Sequence, residues 1–192
     1  MLNMETNMKK HFYFFRHGQS VGNKLGIAGR KPSANLTTIG KKQAQKLSEF
    51  LSDKSLEVIY SSPLKRAVDT AHIIAKKYSN IDIITDDALC EAAFGFWYND
   101  TSETQKRINE TFERVKTFLE SIVKSSTFNN IAIASHGGIT RALCWCAGYK
   151  VEGIKNCHCF HFILENGHWE FVESFETGIE VQNKSDAPYN LK

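Results

Sequence analysis

Short apolar runs alternate along the chain with amphipathic stretches, a pattern that indicates an α/β fold. Four consecutive aromatic residues at 12–15 form an uninterrupted apolar run, which is typical of a strand buried on both faces of a parallel sheet. A second apolar run at 131–135 has the same character. With two shorter runs between them, the pattern predicts strands at about 11–16, 57–61, 81–84 and 131–135.

Helical periodicity occupies the intervals between these strands. The first helix is expected over 36–53, with a threonine as its N-cap. For the second helix, Ser62 is the predicted N-cap and Pro63 the first helical position. A long helix over 102–125 carries an apolar stripe with steps of three and four residues, and a last helix is expected over 137–147. The alternation of strands and helices predicts βαβ units and a mostly parallel sheet.

The C-terminal part of the chain predicts a β-hairpin. Asn166-Gly167 lies between two apolar runs, 158–165 and 168–175, and this dipeptide is a strong hairpin signal. Its strands would extend the sheet in the antiparallel direction. The expected fold class is therefore α/β, with a mostly parallel central sheet and a C-terminal antiparallel hairpin.

Composition and charge limit the classes of function. The chain has 192 residues and a net charge of +3, with its basic residues scattered in pairs, so no nucleic-acid partner is expected. No apolar stretch approaches the roughly 20 residues of a membrane span, and the start of the chain lacks the apolar core of a signal peptide. We expect a cytoplasmic protein with no membrane partner. No repeat or linker is visible, so one domain is expected over 1–192, with a loose leader at 1–10 and a polar tail at 177–192 that is compatible with disorder.

Five cysteines exclude a complete set of intrachain disulfides and suit a reducing compartment. Two Cys-x-Cys pairs, Cys144/Cys146 and Cys157/Cys159, raise the alternative of a zinc site. Structural zinc sites usually space their cysteines more widely, and residues two apart on a helix do not share a face. The spacing therefore favours buried, apolar cysteines over zinc ligands.

Two of the predicted strands end at polar residues. Arg16 is the last residue of the first strand and His17 follows it, whereas His136 follows the strand at 131–135. In an open α/β sheet, ligands bind at the carboxyl ends of the strands, so these side chains are expected to converge on one pocket. The glycine-rich loop at 17–35 and the helix start at Gly137 could add backbone amides that bind an anion.

Two further polar residues are candidates for the same pocket. Arg66 lies in the first turn of a predicted helix, where a cation opposes the helix dipole and a bound anion would compensate. A solvated surface arginine is the alternative. Glu91 precedes the aromatic stretch 94–98, which could desolvate its carboxyl group, raise its pKa and suit it to act as a general acid. An exposed glutamate is the commoner situation.

Two arginines and two histidines together describe a site for a tetrahedral dianion. The guanidinium group presents a rigid fork of donors that suits phosphate oxygens. A neutral histidine could attack phosphorus, and a carboxyl group could protonate the leaving oxygen and then accept a proton from water. No Gly-x-Ser-x-Gly elbow occurs, which argues against a serine hydrolase.

Ordered sequence blocks over about 11–165 resemble the histidine phosphatase superfamily, the fold group of phosphoglycerate mutase. They comprise Arg16-His17-Gly18 with Ser20 and Asn23, Leu36-Thr37 with Gly40 and Gln43-Ala44, the 61–71 stretch, Leu89-x-Glu91 with Gly95 and Trp97, and Ser135-His136-Gly137-Gly138. The resemblance implies a three-layer α/β/α sandwich, with no metal and no cofactor.

The resemblance also implies individual roles. His17 would be the nucleophile that forms a phosphohistidine, and Glu91 would be the proton donor. The phosphoryl group would be held by Arg16, Asn23, Arg66, His136 and the backbone of Gly137.

Three departures from the mutases of this family favour hydrolysis over phosphoryl transfer between positions of one substrate. Ala92 follows the acidic residue where mutases carry arginine, and Gly138 stands where they carry asparagine. Glu91 and His136 are only 45 positions apart, without the mutases' long insertion. The expected partner is a small phosphomonoester. A sugar phosphate, a nucleotide-derived phosphate such as α-ribazole phosphate, and a phosphoprotein all remain open, as does the oligomeric state. The alternatives are a phosphoglycerate-type mutase and a catalytically silent module that binds phosphate or protein.

Overall fold

The computed structural model describes residues 9–26, 35–91 and 102–179. Its elements are six strands and five α-helices, with a short 3-10 helix at Asp87–Leu89. In chain order they are β1 (Lys10–Arg16), α1 (Val21–Leu25), α2 (Thr38–Leu51), β2 (Val58–Ser61), α3 (Lys65–Ala75), β3 (Asp82–Thr85), α4 (Ser102–Ser125), β4 (Asn130–Ser135), α5 (Gly137–Cys146), β5 (Cys159–Glu165) and β6 (His168–Phe175).

One six-stranded sheet carries the strands in the order β3-β2-β4-β1-β5-β6. The first four of these are parallel, whereas β5 is antiparallel to both of its neighbours, β1 and β6. The register pairs Arg16 at the end of β1 with Ser135 at the end of β4. The residues that follow these two strands, His17 and His136, therefore leave the sheet side by side.

The two faces of the sheet bury different sets of side chains, because alternate residues of a strand point in opposite directions. Phe12 and Phe14 pack on the α4 and α5 side. Tyr13 and Phe15 pack on the α2 and α3 side. Helices thus cover both faces, which confirms the predicted α/β/α sandwich, the mostly parallel sheet and the C-terminal antiparallel hairpin.

The predicted start of the second helix was wrong. α3 begins at Lys65 with Leu64 as its N-cap, and Pro63 is not helical. Ser62 lies two residues before the N-cap of α3; its Oγ accepts a hydrogen bond from the amide of Leu64, which is not yet helical, and contacts Nε2 of His136. Arg66 still lies in the first turn, as predicted.

Three smaller expectations also need correction. The first part of the predicted loop at 17–35 contains α1, whose capping box is formed by Ser20 and Asn23. Lys10 is a buried residue of β1 and not part of a leader; its Nζ donates to the carbonyl oxygens of Ser126 and Phe128, between α4 and β4. Thr177 is buried as well, so the chain is still packed where the tail was expected to begin. Residues 1–8, 27–34 and 180–192 lie outside the described residues.

The cysteines behave mainly as small apolar residues. Cys144, Cys157 and Cys159 are buried as predicted, whereas Cys146 is half-buried; all are free thiols. Within 9–26, 35–91 and 102–179, no three histidine, cysteine or acidic side chains come together in a way that could hold a metal ion. No helix in this part of the chain is long and apolar enough to cross a membrane.

Candidate active site

His17 follows β1 directly, and its two ring nitrogens have different partners. Nδ1 lies 2.6 Å from the carbonyl oxygen of Gly18, which can only accept a hydrogen bond. Nε2 lies 3.0 Å from Nε of Arg66, which can only donate. The proton therefore resides on Nδ1, and the lone pair of Nε2 faces the guanidinium group. In this tautomer Nε2 is the ring nitrogen that carries the lone pair in the plane of the ring.

The side chain of Thr70 on α3 connects Arg66 to Gly18. The Thr70 hydroxyl donates to the carbonyl oxygen of Arg66 at 2.7 Å and accepts from the amide of Gly18 at 3.1 Å. Both Arg66 and Thr70 are buried. The helix that carries Arg66 is thus joined directly to the turn that carries His17.

His136 is the N-cap residue of α5 and is fully buried. Its ring lies edge-on to that of His17, with centroids 5.1 Å apart. Nε2 is 2.8 Å from Oγ of Ser62, whereas Nδ1 is buried without a hydrogen-bond partner among the described residues. Buried polar atoms nearly always have a partner, so this nitrogen indicates a position where a bound group belongs.

Arg16 connects the end of β1 to the stretch between α5 and β5. Its Nη1 donates to the carbonyl oxygen of Ile154 at 2.6 Å, and its carbonyl oxygen accepts from the amide of Cys157 at 3.0 Å. The guanidinium group also lies beside Gly137, where an added Cβ would be 3.8–3.9 Å from Nε and Cζ. Arg16 and the amides at the start of α5 are therefore adjacent donors for an anion.

The charges of the site favour neutral imidazoles. Burial, and then the charges of Arg66 and Arg16, lower the pKa of His17 well below 6.5; the hydrogen bond to Gly18 opposes this shift. Burial also lowers the pKa of His136 well below 6.5, with further contributions from His17, Arg66 and Arg16. A neutral nucleophile among guanidinium groups suits attack on a phosphate dianion.

Activity should therefore persist to lower pH than an ordinary histidine would allow. Protonation removes the Nε2 lone pair, but the lowered pKa of His17 keeps the ring neutral at pH 6.5, where an unperturbed imidazole would be half-protonated. The acid limb of kcat/KM, which reports the free enzyme, is expected below that pH. Nitrogen NMR of the imidazoles at about pH 6 should show neutral His17 with its proton on Nδ1. A limb at or above pH 6.5, or a proton on Nε2, would contradict this expectation.

Asn23 lies on α1 and is tied to its own N-cap. Its Oδ1 accepts from the amide of Ser20 at 3.1 Å and from the Ser20 hydroxyl at 3.0 Å. The Ser20 hydroxyl in turn accepts from the Asn23 amide at 3.2 Å. This reciprocal capping places the predicted phosphate ligand on a short helix that begins four residues after His17.

Glu91 is at the end of its described segment and is half-buried. Its negative charge raises the pKa of Arg66, against the larger effect of burial, so the carboxylate is electrostatically coupled to the site. Arg114 of α4 donates to the carbonyl oxygen of Cys90 at 2.8 Å and so fixes the residue before Glu91. The aromatic stretch at 94–98 and the departure at Ala92 lie outside the described residues.

The structure thus brings His17, Arg66, Arg16 and His136 together and ties Asn23 to the same turn. The analysis of the sequence missed the side chain of Asn156, which donates to the carbonyl oxygen of His17. Nothing in the sequence signals it, because it lies in an irregular stretch between α5 and β5.

Comparison with known proteins assigns the family. The model of the histidine phosphatase superfamily (branch 1) matches residues 12–113 and 99–186. Phosphoserine phosphatase 1 of Hydrogenobacter thermophilus is 32% identical over 184 residues, which cover 84% of this chain and 85% of that protein. The chain therefore belongs to the histidine phosphatase superfamily.

Two more similarities bear on activity and fold. A metal-independent phosphoserine phosphatase of Arabidopsis thaliana is 28% identical over 153 residues, 67% of this chain and 64% of that protein. The crystal structure of phosphoglycerate mutase from Bacillus anthracis superposes with a TM-score of 0.74 at 17% identity, covering 94% of this chain and 96% of that chain. The second similarity concerns the fold alone.

Proposed function

We propose that this protein is a metal-independent phosphomonoester hydrolase that acts through a phosphohistidine on Nε2 of His17. The observation that carries the proposal is the fixed tautomer of His17: Nδ1 donates to the Gly18 carbonyl, and Nε2 turns its lone pair to the guanidinium of Arg66. The names of the phosphatase relatives support hydrolysis as the reaction.

The first step transfers the phosphoryl group to the enzyme. The Nε2 lone pair attacks phosphorus while the bond from phosphorus to the ester oxygen breaks. The leaving oxygen takes a proton from Glu91. Arg16, Arg66 and His136 stabilise the charge on the remaining phosphoryl oxygens, so the guanidinium of Arg66 shifts from the Nε2 lone pair to an oxygen.

The second step releases phosphate and restores the enzyme. Water attacks phosphorus, its proton passes to the Glu91 carboxylate, and the P–N bond breaks, so its electron pair returns to Nε2. Glu91 ends protonated and His17 neutral, as at the start. Because the guanidinium groups offset the charge of the transferring group, this chemistry has no step that needs a metal ion.

We propose phosphoserine, a small phosphomonoester, as the first substrate to test, since the two relatives described above are named phosphoserine phosphatases.

One of the three differences from the mutases lies within the described residues: Gly138, a buried residue of α5, stands where mutases carry asparagine. Glycine supplies no side-chain amide at this position, which supports hydrolysis over the mutase reaction.

The free thiols of all five cysteines support the cytoplasm as the compartment.

Hydrolysis should continue in the presence of a chelator. We expect the purified chain to release phosphate from p-nitrophenyl phosphate and from phosphoserine at rates that EDTA does not change, because arginines and not a metal stabilise the transferring group. Conversion of 3-phosphoglycerate to 2-phosphoglycerate, followed in parallel, should be slower than its hydrolysis. Loss of phosphate release in EDTA, restored by added Mg²⁺, would contradict the metal-free mechanism. Faster isomerisation than hydrolysis would identify a mutase.

A further inference from the structure

The side chain of Asn156 connects the nucleophile's backbone to the predicted phosphate ligand Asn23. Its Nδ2 donates to the carbonyl oxygen of His17 at 3.0 Å and approaches Oδ1 of Asn23 at 3.4 Å. Asn156 is 3% exposed, so these contacts are shielded from water. The carbonyl of His17 can only accept, which assigns Nδ2 and not Oδ1 of Asn156 to this position.

The same contact bears on how Asn23 presents its amide. Its Oδ1 is surrounded by three donors: the Ser20 amide, the Ser20 hydroxyl and Nδ2 of Asn156. With the acceptor end of the amide held in this way, the donor end, Nδ2, is the part that can serve an anion. A flipped amide would place Nδ2 against these donors and present an oxygen to a phosphate.

The backbone that carries Asn156 is held in an uncommon conformation. Cys157 is fully buried and has φ of 55°, a left-handed value that costs a non-glycine residue of order 1 kcal/mol or more. The turn nevertheless closes on the nucleophile, because the Cys157 amide donates to the carbonyl oxygens of Arg16 and His17 at 3.0 and 3.3 Å. Strain of this kind is kept where the surrounding contacts require it.

From these contacts we propose that Asn156 is a positioning residue for phosphoryl binding: it orients the amide of Asn23 while holding the carbonyl of His17. The inference rests on the proposed function only in that the bound group is the phosphoryl group of the substrate. Asn156 itself does not touch the phosphate, and its effect passes through Asn23.

A double-mutant cycle with inorganic phosphate as the probe tests this pathway. Asn156→Ala should raise the Ki of phosphate and the KM of p-nitrophenyl phosphate about tenfold, because the Asn23 amide is no longer held. In an Asn23→Ala background the same change should raise them less than about twofold. Equal losses in both backgrounds would assign Asn156 a merely structural role and overturn the inference.

The isosteric variant Asn156→Asp keeps the test decisive if the alanine variant does not fold. Its carboxylate would face the oxygens of His17 and Asn23, so kcat/KM should fall at neutral pH. The gap to the unmodified protein should narrow toward about pH 5, where a protonated carboxyl group regains a donor. Activity equal to that of the unmodified protein at every pH would overturn the inference.

Two controls separate this inference from the proposed function. Lys155→Ala alters an exposed neighbour that pairs with Glu176, so it should leave Ki and KM unchanged. Phosphate binding measured by calorimetry does not depend on turnover. A protein that binds phosphate with the expected coupling but hydrolyses nothing would uphold the role of Asn156 and refute the phosphatase assignment. Hydrolysis without the coupling would do the opposite.

Discussion

The variant His17→Ala is expected to lose at least about 10⁴-fold in kcat for phosphomonoester hydrolysis while it remains folded. The change removes the atom that forms the covalent intermediate, and no other described imidazole occupies its position: Nε2 of His136 already contacts Ser62. Rapid quenching of the unmodified protein with radiolabelled substrate should yield a phosphoenzyme that is labile in acid and stable in base. The alanine variant should yield none.

His168→Ala provides a matched control for this experiment. His168 is exposed on β6, so its loss removes an imidazole without altering the site. We expect this variant to keep the rate and the label of the unmodified protein. Thermal unfolding of both variants would show that they are folded. An alanine variant of His17 that retains more than a few per cent of the rate would refute the nucleophile assignment. A label found on another residue would do the same.

Much of the fold was predictable because the strands and helices carry strong local signals. The aromatic run at 12–15 places alternate side chains in two separate cores, which only a strand covered on both faces can do. Asn166-Gly167 takes positive φ values of 52° and 76°, as the hairpin turn requires. α4 has the predicted bounds, because its apolar stripe repeats over many turns.

The errors have a common physical origin in tertiary contacts. Ser62 and Pro63 form a good local helix start, yet the Ser62 hydroxyl is engaged by His136, a residue 74 positions away. Lys10 ends a polar stretch that predicts a leader, but the carbonyl oxygens of Ser126 and Phe128, between α4 and β4, bind its ammonium group. Such contacts have no periodicity in the sequence.

The candidate site was predictable to a similar degree. Arg16, His17 and His136 follow from strand ends, because parallel strands bring their carboxyl ends to one edge. Arg66 was left open between ligand and surface residue; it is buried, and its Nε lies 3.0 Å from Nε2 of His17. The hydrogen-bond partners that set the tautomer of His17 and hold Asn23 could be found only in the structure. They depend on atoms that the fold brings within about 3 Å.

The variant Gly40→Ala is expected to lose both stability and activity, although this residue of α2 contacts no proposed catalytic side chain. An added Cβ would lie 2.1 Å from the carbonyl oxygen of Gln19 and 2.8 Å from its amide nitrogen. Both neighbours are backbone atoms, so no side chain can move aside. The contact is reciprocal, since a Cβ on Gly18 would lie 2.4 Å from the carbonyl oxygen of Gly40.

The hydrogen bonds around this contact prevent α2 from moving away. The Gln19 amide donates to Oε1 of Gln43 at 2.9 Å, and the Thr37 amide donates to the Gln19 carbonyl at 2.9 Å. We therefore expect Gly40→Ala to lower the free energy of unfolding by about 3 kcal/mol or more, in the range of backbone overpacking. Because the displaced segment follows His17 directly, kcat/KM should fall as well, by at least about tenfold.

Gly137→Ala is the matched comparison for stability, because it also adds a methyl group in the first turn of a helix. There the nearest atoms to an added Cβ are 3.8 Å away and belong to the side chain of Arg16. Its free energy of unfolding should change by less than about 1 kcal/mol, since alanine favours a helix and no clash results. Urea denaturation of both variants measures the difference directly. Equal stabilities of the two variants would show that the segment 18–20 can move away from α2. The close packing of Gly18 against Gly40 would then not determine the position of His17.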